Sequence, residues 1–306
     1  AFSTMSARQL ELANVAIRAG RFKDALVALE KRDVVGEKAD AGEMGALRAA
    51  VMAWLGRDAQ ARDLANFVLR RADCPPFVAA QCYAVLAYLY EDAKAVGEAI
   101  EHYHKAILFA QKSGESRQAC EYELQLLNLL GDVHQPESIA AFMRQVWRSA
   151  IRSGDPQKLA HLHLNMAKIE ARQGLFSKAH HHVDASRRLL AVEANYWLLG
   201  VGYLHSSVMH IFQSDPQAAR LDAEEALRLS QVSGHAHTYR AAMSNLTHVY
   251  QLLGEFEKAA KLLRECLERS GPRDFWRFYL LESYSNLLIE RGDLVRAKDV
   301  LDEIFS

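Results

Sequence analysis

The sequence is poor in the residues that staple, break or strongly charge a chain. Of 306 residues four are cysteine and six are proline. Cys74, Cys82, Cys120 and Cys266 stand 8, 38 and 146 residues apart, so no CxxC pair exists to organise zinc or a redox dithiol. They read as buried thiols in a reducing compartment. Thirty-seven basic residues against 38 acidic ones leave a formal net charge of −1, which supplies no global field for nucleic acid or an anionic membrane. No apolar run approaches the ~20 residues that span a bilayer. The start of the chain also lacks the charged, apolar and small-residue order of a signal peptide, so a cytoplasmic location is expected. The opening "AFSTMSARQL" has no initiator methionine, and "VLDEIFS" ends inside an amphipathic pattern; both suggest a piece of a longer protein. Catalytic signatures are missing too. There is no GxSxG, GxxxxGK[ST], HExxH or strand-borne GxGxxG, so neither an enzyme nor a cofactor is expected in this stretch.

About half the residues are apolar, enough for a sizeable core. They are arranged around a recurring skeleton of glycine, an aromatic or aliphatic residue two positions on, and alanine three after that. "GRFKDA" ends at Ala25, "GRDAQA" at Ala61, "KAVGEA" at Ala99, "GLFSKA" at Ala179, "SDPQAA" at Ala219, "GEFEKA" at Ala259 and "GDLVRA" at Ala297, with Ile139 in the same role after "HQPES". The steps are 36, 38, 40, 40, 40, 40 and 38 residues. Each interval holds two stretches of helical period; in "LAHLHLNMAKIEARQ", Leu159, Leu162, Met166 and Ile169 recur at three and four. The unit is therefore a helical hairpin, and 1–306 reads as one solenoid of about eight hairpins, the first two less regular and joined by the polar connector "VVGEKADAGEM". Pro136 and Pro216 fall in turns inside units, while Pro75, Pro76, Pro156 and Pro272 fall between units, so no proline interrupts a helix. Gly20, Gly56, Gly174, Gly254 and Gly292 follow the first helix of their units, where a left-handed backbone needs no Cβ. The alanine opens the second helix where the two helices approach most closely.

With "NMAKIEARQGLFSKA" and "NLTHVYQLLGEFEKA" as its best copies, this skeleton resembles the tetratricopeptide repeat, over nearly all of residues 7 to 306. The 40-residue spacing is longer than the ~34 residues of the standard repeat. It is similar to the variety in kinesin light chain and in large bacterial regulators. HEAT repeats share the period but lack the glycine-aromatic-alanine corner. The resemblance implies an all-α, right-handed superhelical solenoid whose first helices line a concave groove. In that family seven or eight units make roughly one superhelical turn, so the groove is expected to be partly enclosed.

Two sets of residues invite a functional reading. His180, His181 and His182 sit in a second helix, where consecutive side chains diverge by about 100° and cannot converge on one metal ion. The pairs His102/His104, His161/His163 and His235/His237 fail by the same geometry, and no metal is expected. The stronger candidates come from the 40-residue register. One column is Val85, Gln125, Asn165, His205 and Asn245; a second, three residues on, is Tyr88, Asn128, Lys168, Val208 and His248. Adjacent positions such as Leu126, Met166 and Leu246 are apolar. Amide side chains offer both donors and acceptors to a peptide backbone. In the longer-period variety, asparagine in the first column resembles the peptide-gripping residue, which Asn165 and Asn245 match. Arg172, Gln251 and His161 extend the wall. Glu91, Asp92, Glu121 and Asp132 precede Lys168 and Arg172, a grading that would orient a bound segment. The carboxylate clamp of chaperone-binding relatives needs Lys and Arg in neighbouring units, and only the fifth supplies them. The expected partner is thus a peptide or partner protein, or a small signal molecule, with no nucleic acid contact and no membrane. The host is expected to be a cytosolic signalling or transcription-regulatory protein; an oligomerisation scaffold, or the regulatory region of an enzyme, is the alternative.

Overall fold

The computed structural model describes residues 2–30, 42–269 and 275–305. Most of the connector, at 34–41, and Pro272 lie outside them. Among the described residues there are sixteen helices and no strand. They pair as eight antiparallel hairpins: α1 (Phe2–Arg18) with α2 (Phe22–Glu30), α3 (Glu43–Trp54) with α4 (Asp58–Leu69), α5 (Pro76–Asp92) with α6 (Val96–Lys112), and α7 (Ser116–Val133) with α8 (Pro136–Ser153). The remaining four are α9 (Pro156–Arg172) with α10 (Phe176–Leu190), α11 (Tyr196–Phe212) with α12 (Pro216–Ser233), α13 (Ala236–Leu252) with α14 (Phe256–Arg269), and α15 (Phe275–Glu290) with α16 (Leu294–Phe305). No described helix is long and apolar enough to cross a membrane.

The corner inside each hairpin is built from the skeleton residues. Gly174 has φ +76°, its N–H donates to Ala171 O, and the next N–H, of Leu175, donates to Glu170 O, both at 3.0 Å. That pair of bonds satisfies carbonyls orphaned at the helix end. Lys94 and Ser214 take the same left-handed conformation in units 3 and 6, so the corner tolerates a side chain where space allows. The column alanines are 0–2 % exposed, and Ile139, their substitute in unit 4, is 7 % exposed. Prolines Pro76, Pro136, Pro156 and Pro216 open α5, α8, α9 and α12, where their missing N–H costs nothing. Of the four cysteines, Cys82 and Cys120 are buried as expected, but Cys74 and Cys266 are only half-buried.

Neighbouring units are tied by polar side chains as well as by apolar packing. From first helix to first helix, Gln118 donates to Phe77 O (3.2 Å), Asn165 to Leu124 O (2.9 Å), Lys168 to Asn128 O (2.7 Å) and Arg172 to Gly131 O. Each donor lies 40 or 41 residues after its acceptor. A helix carbonyl bonded to its own i+4 N–H has a second lone pair, and these side chains use it.

The superhelix closes sooner than the resemblance implies. The corner of unit 1 meets the start of unit 6: Tyr196 N–H donates to Ala19 O at 2.9 Å, and Asn195 Nδ2 to Arg18 O at 3.1 Å. The corner of unit 2 packs on unit 7, with the Cβ position of Gly56 3.0 Å from the Ala236 Cβ. The corner of unit 3 reaches units 7 and 8 through Asp92, which takes two 2.8 Å bonds from Arg240, and Lys94, whose Nζ sits 5.4 Å from the Trp276 ring centre. One edge of the first turn is therefore seated on the opposite edge of the next, five units later.

Candidate functional site

This closure converts the groove into cavities. One of about 340 Å³ lies on the concave side and is walled only by first helices and their caps, from α1, α3, α5, α7 and α9. Its floor is apolar: Leu47, Ala50 and Trp54 of α3 with Ala84 and Val85 of α5. Its polar groups are Gln81, Gln118, Gln125 and the Tyr122 hydroxyl together with five charged residues. Four of those charges are paired. Arg18 Nη1 lies 3.0 Å from Asp155 Oδ2, and its Nη2 donates to Glu193 Oε2 at 2.7 Å. These bonds, to Glu193 and then to Asp155, hold the guanidinium far above its ordinary pKa. Lys158 Nζ lies 2.9 Å from Glu121 Oε2. Burial alone would raise the Glu121 carboxyl, but Lys158 outweighs it and holds it below the usual range. The fifth, Arg117, is exposed at the mouth.

A second cavity, of about 430 Å³, lies between the unit 2 corner and units 7 and 8, walled by Tyr239, Arg240, His248, Gln251, Trp276 and Tyr279 among others. Arg240 is engaged twice there, by Asp92 and by the face of Trp276 at 5.3 Å. Burial tends to raise the Asp92 carboxyl, but the hydrogen bond from His237 and the Arg240 charge prevail and hold it far below the carboxylate range.

The sequence-predicted residues divide between these cavities and the unit-to-unit ties. Gln125 lines the first cavity, and His248 and Gln251 line the second. Asn165 is 2 % exposed and spends its amide on Leu124 O. Lys168 has three N–H donors and three bonds, to Asn128 O, Asn128 Oδ1 and Asp132 Oδ2, at 2.6–2.9 Å. It has no donor left for a ligand. Asn128 adds a 3.4 Å bond to Glu91 Oε1, whose other oxygen takes the Tyr103 hydroxyl at 2.8 Å. Burial raises the Glu91 carboxyl, the Tyr103 bond only partly opposing it. Arg172 is tied to Gly131 O. His205 and Asn245 each keep one buried nitrogen, Nδ1 and Nδ2, with no hydrogen-bond partner among the described residues. Burial, aided by the charge of Lys168, pushes His205 down to about 3. The expected charge grading exists as positions, but Asp132, Glu121 and Asp92 already face Lys168, Lys158 and Arg240. It is neutralised inside the protein rather than presented to a segment.

The histidine run is less superficial than its sequence suggests. His182 Nδ1 stands 2.7 Å from His163 Nδ1, and His180 Nε2 stands 2.9 Å from Gln213 Oε1, so only His181 is fully exposed. Among the described residues no group of three His, Cys, Asp or Glu is placed to hold a metal.

Gln81, Trp54 and Arg117 escaped the sequence reading. Gln81 shares a register with Glu121 and His161, one helical turn before the first column, and was legible there. Trp54 belongs to unit 2, where the 38-residue step shifts the register by two. Arg117 carried a different signal: a cation in the first turn of a helix, against the dipole.

By fold and interior, the chain is a superhelical array of helical hairpins, an architecture suited to interaction with other proteins. Residues 240–270 match the family model of the tetratricopeptide repeat, and solved structures share the fold of the whole chain. One is a chain from the APC/C hetero-tetramer Cut9-Hcn1, at TM-score 0.61 and 16 % identity, covering 97 % of this chain and 52 % of that one. Another is a Rap protein complexed with Competence and Sporulation Factor, at TM-score 0.56 and 12 % identity, covering 97 % and 99 %. A third is an IFIT1 monomeric mutant with Gppp-AAAA, at TM-score 0.54 and 14 % identity, covering 98 % and 69 %. The chain spans about half the length of the first of these. No curated protein matches it in sequence.

Proposed function

We propose that this chain is a binding module without catalytic activity of its own, which takes a peptide or an extended segment of a partner protein into its concave cavity. It would serve as the sensor or interaction part of a larger cytoplasmic signalling or transcription-regulatory protein. The observation that carries this reading is the 340 Å³ cavity itself, with an apolar floor and amides on its wall. That volume falls in the roughly 300–1,000 Å³ range of ligand sites. A side chain of leucine size buried on the floor contributes about 1.5–3 kcal/mol, and the amides of Gln81 and Gln125 suit a peptide group in either direction. The Rap protein complexed with Competence and Sporulation Factor shares the fold along its whole length and lends support to a sensor role. A small signal molecule is the other occupant considered, and the 430 Å³ cavity beside Trp276 is of a size to take one.

The test is selection of random dodecapeptides on phage against the purified chain, followed by titration of synthetic copies. Recovered peptides are expected to bind the parent chain and to lose at least tenfold in affinity to a Q81A/Q125A variant with unchanged thermal unfolding. Equal affinity for that variant would remove the concave cavity as the site.

A further inference from the structure

We propose that the 430 Å³ cavity, at the seam where the unit 2 corner meets units 7 and 8, is a site for an uncharged planar aromatic molecule whose binding clamps the two superhelical turns together. This rests on the small-molecule reading of that cavity; the peptide site in the concave cavity stands or falls separately. The tie between first helices changes where the seam cavity lies. Asn165, nine residues before the corner glycine Gly174, reaches back to Leu124 O. The residue nine before Gly292 is Ser283, whose side chain is one atom shorter, and it lines the cavity. Two stripes face each other there. Ser244, Thr247, His248 and Gln251 come from α13, and Trp276, Tyr279, Leu280 and Ser283 from α15, both at the i, i+3, i+4, i+7 spacing of a single helix face.

One wall thus carries hydroxyls, an imidazole and an amide, while the other is mainly aromatic and apolar. Together they select a flat molecule. A ring system can lie against Trp276 and Tyr279, which is worth more than its buried area alone, while a hydroxyl or carbonyl on its edge meets the polar wall. Charge is excluded by the rest of the lining. Among the described residues no Asp or Glu lines the cavity, so an ammonium group finds no partner. The cation that lines it, Arg240, is held by Asp92 through two 2.8 Å bonds and stands 5.3 Å from the Trp276 ring centre, so a ligand anion would have to compete with Asp92. Burying an unpaired charge costs far more than burying a neutral group. The location also gives the occupant a mechanical role. Leu55 and Gly56 belong to the first turn and the other lining residues to the second, so a molecule filling the space touches both. Trp54, the last residue of α3, lies on the floor of the concave cavity, and Leu55, the next, lines this one. An occupant here therefore steadies a wall there.

The experiment titrates the full chain at neutral pH, by isothermal calorimetry, with 2-naphthol, 2-naphthoate, 2-naphthylmethylamine and decahydro-2-naphthol. 2-Naphthol should bind at least about tenfold tighter than the anion and the cation, whose charges go unanswered. It should bind about fivefold tighter than its saturated analogue, which cannot stack. S244W, at an exposed position of the polar wall, should abolish 2-naphthol binding without moving the thermal unfolding midpoint. S283L should block the cavity from the opposite wall, and Q81A/Q125A should bind as the parent does. With 2-naphthol bound, hydrogen exchange of the Tyr196 N–H, which bonds across the seam to Ala19 O, should slow more than that of the Leu175 N–H, at a corner off the seam. Equal affinity for a charged probe or for the saturated one overturns the ligand class, and if S244W still blocks it, the small-molecule reading stands. Undiminished binding by both S244W and S283L overturns the site, and equal slowing at Tyr196 and Leu175 overturns the clamp. If no probe binds, the inference and the small-molecule reading fall together.

Discussion

Gly20 and Gly174 occupy the same turn in two hairpins, with φ of +67° and +76°, yet their surroundings differ completely. A Cβ on Gly174 would meet nothing within 4 Å, whereas one on Gly20 would lie 2.4 Å from Asn195 Oδ1 and 2.6 Å from the Trp197 backbone nitrogen. The first is glycine for its own backbone; the second is glycine because another turn of the superhelix rests on it. The repeat thus supplies corners of one kind, and closure selects some of them for a second duty. The largest expected effect follows. Gly174→Ala should cost about 1–2 kcal/mol, the price of a left-handed alanine. Gly20→Ala should cost about 2–4 kcal/mol, because overlap is added to the same backbone penalty. Calorimetric melting of the two variants decides it, and equal losses would mean that the edge contact does not hold in solution.

The next contrast is between histidines on the interior and those on the second helices. His205 is pushed down to about 3 by burial, and His235 and His161 are lowered by burial as well, whereas His181 is exposed. Below its ordinary pKa of ~6.5 a histidine takes up a proton in the unfolded chain while its buried counterpart stays neutral, so the unfolded state binds more protons and stability falls with falling pH. For His205 the window runs from ~6.5 down to about 3, with a limiting slope of about 1.4 kcal/mol per pH unit. His205→Asn gives the column the residue found at 165 and 245 and removes this titration. Urea unfolding between pH 6 and 4.5 should show a shallower slope for the variant, and an unchanged slope would mean that His205 is not held neutral by burial in solution.

Two members of one sequence column form a third pair. Asn165 donates to Leu124 O, while the Nδ2 of Asn245 is buried with no partner among the described residues. Asn165→Ala should cost about 1–2 kcal/mol, one net hydrogen bond plus a small cavity. Asn245→Ala should cost close to nothing, since no bond is lost. Chemical denaturation of both variants checks this, and a larger loss at 245 would show that its amide is engaged in solution.

The hairpins were legible because their causes are local. Glycine at a left-handed corner recurs in units 1, 2, 5, 7 and 8 and alanine at a close helix approach in every unit but the fourth, and their period survives without any knowledge of the tertiary structure. The concave face was legible only in part, and the column at Asn165 and Lys168 shows why. An inward-facing amide that binds a ligand and one that binds the neighbouring helix have the same spacing and the same polarity. What separates them is whether a free carbonyl stands within about 3 Å, which depends on the superhelical twist. Trp54 and Ile17, brought to one cavity with Lys158, lie more than a hundred residues from it in sequence, joined by closure that no single repeat encodes.

The smallest effect contrasts ion pairs on and off the closed edge. Arg18 meets Asp155 and Glu193 across 137 and 175 residues, while Lys105 meets Glu101 within one turn of α6. By exposure they are alike, with Arg18 and Lys105 side chains 43 % and 41 % accessible, so solvent screens both. Lys105→Ala should cost no more than about 0.3–0.5 kcal/mol, the usual worth of a helical i,i+4 pair. Arg18→Ala should cost about 1 kcal/mol, since it releases two carboxylates together, but its signature lies elsewhere. Ala19 O and Arg18 O still accept from Tyr196 and Asn195, so the edge would loosen rather than part. Small-angle X-ray scattering should report a larger radius of gyration for Arg18→Ala and none for Lys105→Ala. If the radius of Arg18→Ala is unchanged, the backbone bonds at Ala19 and the glycine fit at Gly20 hold the turns together by themselves.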